Sequence, residues 1–292
     1  MRRTISVVAA VSALGFAAGA VDVHAHLIPE NFRSLLARHG AEHAEGFPLP
    51  RWDAATHVAA MDGAGVSCAL LTLAVPQPWF GDAAEAKAAC RAANEAAAAL
   101  KARFPGRFRF CASLPLPDVA AALEEAAYAL DALGADGVRL STNVAGQYLG
   151  DPALDPLMDF LAARKALVVL HPQRPTPVSA ATAAVTPLPF YEYQAETTRA
   201  LVTLLSRNVL AKRPGLRVVV PHAGAFLPLA VPRLRALNAA QAAQGRAEAI
   251  DWEGNLACLW ADLAGVTEAG QLRALAEVIP PTRWLFGSDY PY

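Results

Sequence analysis

His24 and His26 stand two residues apart at the end of the apolar run Val21-Asp22-Val23. On a strand, alternate side chains share a face, so both imidazoles can reach one metal ion. Three later runs end the same way: Leu167-Val168-Val169-Leu170 leads to His171, Arg217-Val218-Val219-Val220-Pro221 to His222, and Trp284-Leu285-Phe286-Gly287-Ser288 to Asp289. Imidazoles and a carboxylate are the groups that ligate a transition metal or move protons. One histidine capping a buried strand is more often a satisfied core residue. Four such strand ends make an active site the better reading.

Side chains converge from separate strand ends when the strands close into a barrel, and the spacing of the chain fits one. Strand patterns fall at residues 21–24, 66–73, 107–114, 137–141, 167–171, 216–222, 256–263 and 283–287. Ala/Leu/Glu-rich stretches of helical period lie between most of them, as at 83–103, 119–133 and 196–212. Strand, helix, strand repeated eight times predicts an α/β fold, a (β/α)8 TIM barrel with its site at the C-terminal face of the strands. Residues 172–193, rich in Pro, Thr and Ala, read as a long loop over the mouth.

At 292 residues the chain needs only one such domain, expected over 21–292. Its net charge of -1, from 25 basic and 26 acidic residues, favours neither nucleic acid nor an anionic membrane. A small molecule is the expected partner. Cys68, Cys111 and Cys258 sit in strand-like runs and Cys90 in a helical one, with no Cys-x-x-Cys pair, so free buried thiols are expected. Arg2 and Arg3, the apolar stretch from Ile5 to Phe16 and Ala18-Gly19-Ala20 read as a secretory signal over 1–20, cut before Val21. Export is therefore expected, with cytoplasmic residence the alternative. Only three residues follow Asp289, so no helix covers the seam between the eighth and first strands; a C-terminally truncated chain is expected.

Val21-Asp22-Val23-His24-Ala25-His26, Leu170-His171-Pro172, Pro221-His222-Ala223-Gly224 and Leu285-Phe286-Gly287-Ser288-Asp289-Tyr290-Pro291 together resemble the amidohydrolase superfamily. Trp79-Phe80-Gly81-Asp82, Asn94-Glu95, Pro105-Gly106-Arg107-Phe108, Leu114-Pro115-Leu116-Pro117-Asp118 and Gly134-Ala135-Asp136-Gly137-Val138 point to its metal-dependent decarboxylase branch. The resemblance implies His24, His26, His171 and Asp289 as ligands of one divalent ion, zinc first and manganese second. Two-metal relatives carry a carboxylated lysine at the fourth strand, and Gly137-Val138-Arg139-Leu140-Ser141 offers none. His222 becomes a catalytic acid or base that is not a ligand, with Asp289 sharing the proton traffic. Relatives commonly have glycine where Ala225 stands, so a positive φ there would be strained.

The implied reaction is non-oxidative decarboxylation of a small aromatic or muconate-type acid, 6-methylsalicylate-like acids among them. The same ligands also serve a hydrolase that attacks a lactone or amide, and a metal-binding protein without turnover is a third reading. Arg51, ahead of Trp52-Asp53 and a helix-like 54–61, is a candidate clamp for the substrate carboxylate, although its register differs from the relatives' arginine. Trp79, Phe80 and Tyr290 are candidate ring walls. A homodimer is implied; the resemblance allows Arg233 to reach a neighbour's site, although a solvated helix charge is the better reading of it. His39, His43 and His57 match no strand end and are expected at the surface.

Overall fold

The computed structural model describes residues 19–43, 45–266 and 268–292. Up to residue 18, the expected leader lies outside the described residues. Among them, the main sheet has eight parallel strands in sequence order: β1 Ala20–Leu27, β2 Val66–Leu73, β3 Phe108–Ser113, β4 Gly137–Ser141, β5 Leu167–His171, β6 Arg217–Val220, β7 Leu259–Asp262 and β8 Trp284–Leu285. Each pairs with the next. The seam between β8 and β1 is closed by backbone hydrogen bonds: Val23 N–H donates to Phe286 O at 2.9 Å, Asp289 N–H to His24 O at 2.8 Å and His26 N–H to Tyr290 O at 2.8 Å. The result is the expected (β/α)8 barrel.

The intervening helices begin where short acids accept an orphan backbone N–H. Asp53 caps Ala54–Ala64 through Thr56, Asp82 caps Ala83–Arg103 through Glu85, and Asp118 caps Val119–Asp131 through Ala121. Alanines dominate the buried faces of the latter two, which lets their backbones lie close to the sheet. Inside the barrel, Leu70, Cys111, Val169 and Val219 pack with Val23 and Leu285 into an apolar plug. That plug floors the site: toward the strand ends Leu70 is followed on the same face by Thr72, Cys111 by Ser113 and Val169 by His171.

Several expectations need correction. The seventh strand starts at Leu259 rather than 256, because Asp251 caps a helix over Trp252–Ala257 and Cys258 joins the two. β6 stops at Val220, since Pro221 has no N–H for the ladder. The loop read over 172–193 contains a short helix, Ala180–Ala183, and ends at Pro187, where Leu188–Ser206 begins. Pro189 in the first turn of that helix favours the start instead of breaking it. The hairpin pairing Asn143–Val144 with Gln147–Tyr148 was not foreseen; Ala145 and Gly146, at φ 52° and 81°, make its turn. His57 is not a surface residue: it is buried, with Trp52 Nε1 donating to its Nδ1 at 3.1 Å and its ring stacked on Tyr290. All four cysteines are free, although Cys68 is only half-buried. Among the described residues no helix is long and apolar enough to cross a membrane.

Candidate metal centre

Strands β1 and β5 and the segment after β8 bring His24, His26, His171 and Asp289 together at the barrel mouth, where one ligand atom from each lies within 4.8 Å of the others. What aims the rings is the partner of each Nδ1. His24 Nδ1 donates to Asp262 Oδ2 at 2.8 Å, His26 Nδ1 lies 3.0 Å from Thr72 Oγ1, and His171 Nδ1 donates to the Pro172 carbonyl at 2.8 Å. All three Nε2 atoms are thereby turned inward. His24 Nε2 is buried without a hydrogen-bond partner, 3.3 Å from Asp289 Oδ1, and His26 Nε2 lies 3.1 Å from the same oxygen. Outer hydrogen bonds that fix tautomer and direction are how histidine ligands are held, so the donor set fits a divalent cation.

The charges agree. Burial pushes the imidazole of His171 well below its ordinary 6.5, with His26 and the Arg139 guanidinium adding to the effect, and burial also lowers His26. Burial acts the same way on His24, but the carboxylates of Asp262 and Asp289 outweigh it and hold that ring above 6.5. For Asp289, burial is outweighed by the charge of His24 and by the facing rings of His222, His24 and His26, which hold it well below the usual carboxylate range.

His222 sits on the other flank, its Nε2 3.7 Å from Asp289 Oδ2 and its ring 5.1 Å from that of His24. A left-handed turn presents it: φ is 55° at His222, 54° at Ala223, 75° at Gly224 and 56° at Ala225. Asp262 Oδ1 accepts the His222 backbone N–H at 3.0 Å and that of Ala264 at 3.1 Å. One carboxylate thus fixes both a metal-facing ring and the turn that carries His222. Asp22 does a related job across the seam, accepting from His24 N at 3.0 Å, Ser288 N at 3.1 Å and Ser288 Oγ at 2.5 Å. Burial pushes its carboxyl up to about 6 despite those bonds.

Beside the centre lies a cavity of about 400 Å³, reached by His171, His222 and Asp289 and walled by Phe47, Val75, Phe190, Tyr193 and Tyr292. The four candidate substrate contacts lie outside that lining. Arg51 is exposed ahead of its helix, Phe80 stacks on His39 with ring centroids 4.2 Å apart, Trp79 packs against the main core and Tyr290 stacks on His57. Asp262 and Arg139 were not singled out from the sequence, yet both carried a signal. Asp262 ends an apolar strand as the ligands do, and Arg139 interrupts one on its inward face. Fully buried, Arg139 donates to Gln77 Oε1 at 2.8 Å and Ser141 Oγ at 2.9 Å, and it lies 3.4 Å from His171 Nδ1. Tyr193 and Phe47 gave no signal, since neither ends a strand.

Known proteins share this architecture. The sequence profile of the amidohydrolase family matches residues 21–292. The 6-methylsalicylic acid decarboxylase acuB of Aspergillus aculeatus is 34% identical over 280 residues, spanning 93% of this chain and 84% of the relative. Among solved structures, an amidohydrolase II superposes with a TM-score of 0.87 at 32% identity, covering 94% of this chain and 88% of the other. A 2,6-dihydroxybenzoate decarboxylase crystallised with 2,6-dihydroxybenzoate gives 0.79 at 25% identity, covering 94% and 89%. With a match that takes in all four convergent donors, His222 and the strands that position them, the chain belongs to the amidohydrolase family.

Proposed function

We propose that this protein is a metal-dependent non-oxidative decarboxylase of a small aromatic carboxylic acid of the 6-methylsalicylate kind. The observation that carries the reading is a convergent three-histidine, one-carboxylate centre beside an apolar cavity, in a chain that aligns with a named 6-methylsalicylic acid decarboxylase over 93% of its length. His24, His26, His171 and Asp289 hold the ion, with zinc expected first and manganese second. The bound cation would supply Lewis-acid polarisation of the substrate's oxygens.

The protein's own groups do the rest. Phe47, Tyr193 and Tyr292 enclose the ring and exclude water beside the strand ends. His222 Nε2 delivers a proton to the ring carbon that bears the carboxylate, and Asp289 Oδ2, at 3.7 Å, steadies the charge on that imidazole. The bond to the carboxylate then breaks, its electron pair restores the aromatic ring, and carbon dioxide leaves. His222 regains its proton from solvent. In heavy water, the enzyme loaded with zinc or manganese should release carbon dioxide from 6-methylsalicylate and leave one deuterium on the ring. Lactone hydrolysis with no gas from any hydroxybenzoate or muconate acid would replace this reading with the hydrolase one.

Two further parts of the proposal concern setting. A homodimer is supported by exposed Phe190, Tyr191, Phe226 and Leu229 near the cavity mouth and by Arg233 exposed on the adjoining helix Leu227–Ala243; sedimentation velocity tests it. Export through a leader over 1–20, against cytoplasmic residence, is tested by N-terminal sequencing of the mature protein.

A further inference from the structure

Strand β4 carries a cation into the barrel without an acid to meet it. Arg139 is 1% exposed, and its backbone pairs with Ser113 and Val169, two residues below the level of His171. Its Nη1 donates to Gln77 Oε1 at 2.8 Å and to Ser141 Oγ at 2.9 Å, both neutral acceptors. Nη2 lies 3.4 Å from His171 Nδ1, but that nitrogen already donates to the Pro172 carbonyl, so two donors face each other. Nε is buried without a partner. Among the described residues no carboxylate forms an ion pair with Arg139. Glu45 feels it only through space, and burial raises that carboxyl against the pull of Tyr193, Arg174 and Arg139, so Glu45 is not locked in place as a counter-ion. Burial lowers Arg139 to about 10, which leaves it a cation at neutral pH.

An anion in the cavity would lie within reach of that charge. His171, which the guanidinium approaches, lines the cavity, and so do Tyr193 and Tyr292, with which Arg139 interacts electrostatically. Among the described residues that line the cavity there is no lysine or arginine. A guanidinium buried on two neutral hydrogen bonds is costly, and an arriving anion lowers that cost.

We propose that Arg139 is a specificity-determining residue that selects an anionic ligand for the end of the cavity beside the metal centre, by setting an unpaired positive charge one side chain behind His171. The class it selects is the ionised hydroxybenzoate, against a neutral ring of the same shape such as the corresponding amide. A charge in this place acts with two signs: it attracts the substrate anion and repels the divalent ion. Across one side chain, at an effective dielectric of about 20, each effect is on the order of 10- to 100-fold. The inference rests on the metal-dependent decarboxylase reading for the reaction, but its test is made on binding alone.

Salicylate and salicylamide are titrated by calorimetry, at neutral pH, into the zinc-loaded protein as wild type, Arg139→Lys, Arg139→Gln, and Arg139→Met combined with Gln77→Leu, the last removing the charge together with one of its acceptors. Zinc affinity is measured for each by competition with a chelator. The wild type should prefer salicylate. Both neutral variants should narrow that preference about 10-fold or more by losing salicylate, while holding zinc at least as tightly as the wild type. Arg139→Lys, which keeps the charge, should keep the preference within about threefold. An unchanged preference in a neutral variant that folds by circular dichroism overturns the proposal, as does an equal loss in Arg139→Lys, or a wild type that binds the amide as well as the acid. Weaker zinc binding in the neutral variants also overturns it, because a purely structural role would give that sign. Absence of carbon dioxide release would sink the decarboxylase reading alone, since the preference is measured without turnover.

Discussion

At the scale of single residues, the centre separates groups that hold an ion from groups that orient them or move a proton. His222 is kept from the ligand cluster by 3.7 Å to Asp289 and by its own turn, so His222→Asn should retain the metal while turnover falls on the order of 10²- to 10⁴-fold. Elemental analysis beside a carbon dioxide assay checks both halves. Asp262 touches no substrate, yet it holds His24 Nδ1 and the backbone of His222 at once. Asp262→Asn should weaken metal affinity about 10- to 100-fold, read by competition with a chelator, because the ring loses its orienting carboxylate.

At the scale of elements, the turn after β6 stores strain. Ala225 adopts φ 56° and ψ -125°, a region that costs a residue with a Cβ on the order of 1–3 kcal/mol. Ala225→Gly should raise unfolding stability by about 1 kcal/mol in denaturant titrations, after the entropy cost of glycine is deducted. Helix Ala54–Ala64 carries the opposite kind of device. His57 is buried and uncharged, its pKa lowered to about 4 by burial and then by His26. Its folded value lies below its unfolded one, so its contribution is intact above pH 6.5 and is lost as pH falls toward 4. Between pH 7.5 and 4.5 the wild type should lose about 2 kcal/mol more stability than His57→Phe, measured by urea unfolding at each pH.

For the whole molecule, ligands drawn from β1, β5 and the segment after β8 make the ion a cross-brace on a closed ring of strands. One divalent ion per chain is expected, and two would contradict the site. Stripping it should lower the melting temperature by several degrees, since metal held at 100 to 1,000 times its Kd contributes about 3–4 kcal/mol. Gly287 shows how tightly site and barrel are joined: a Cβ there would come 2.7 Å from His24 Cβ and 3.4 Å from Asp262 Cβ.

The barrel was legible in the sequence because parallel strands buried on both faces appear as short apolar runs, and helix caps and alanine-rich periods separate them. The histidines and Asp289 were legible because four separate apolar runs end in ligand or acid/base residue types, a coincidence that single buried polar residues do not produce. The cavity was not. Arg51, Trp79, Phe80 and Tyr290 were chosen for chemical type and closeness to strand ends, and the structure places them respectively in solvent, against the core, on His39 and on His57. Phe47 and Tyr193 line the cavity, from a loop and a helix that lie far apart in the chain and are tied by the backbone hydrogen bond from Leu188 N–H to the Glu45 carbonyl. Local periodicity sets which segments become strands and which strand ends carry chemistry. Which loops meet above those ends depends on long-range packing, and no pattern within a single segment records it.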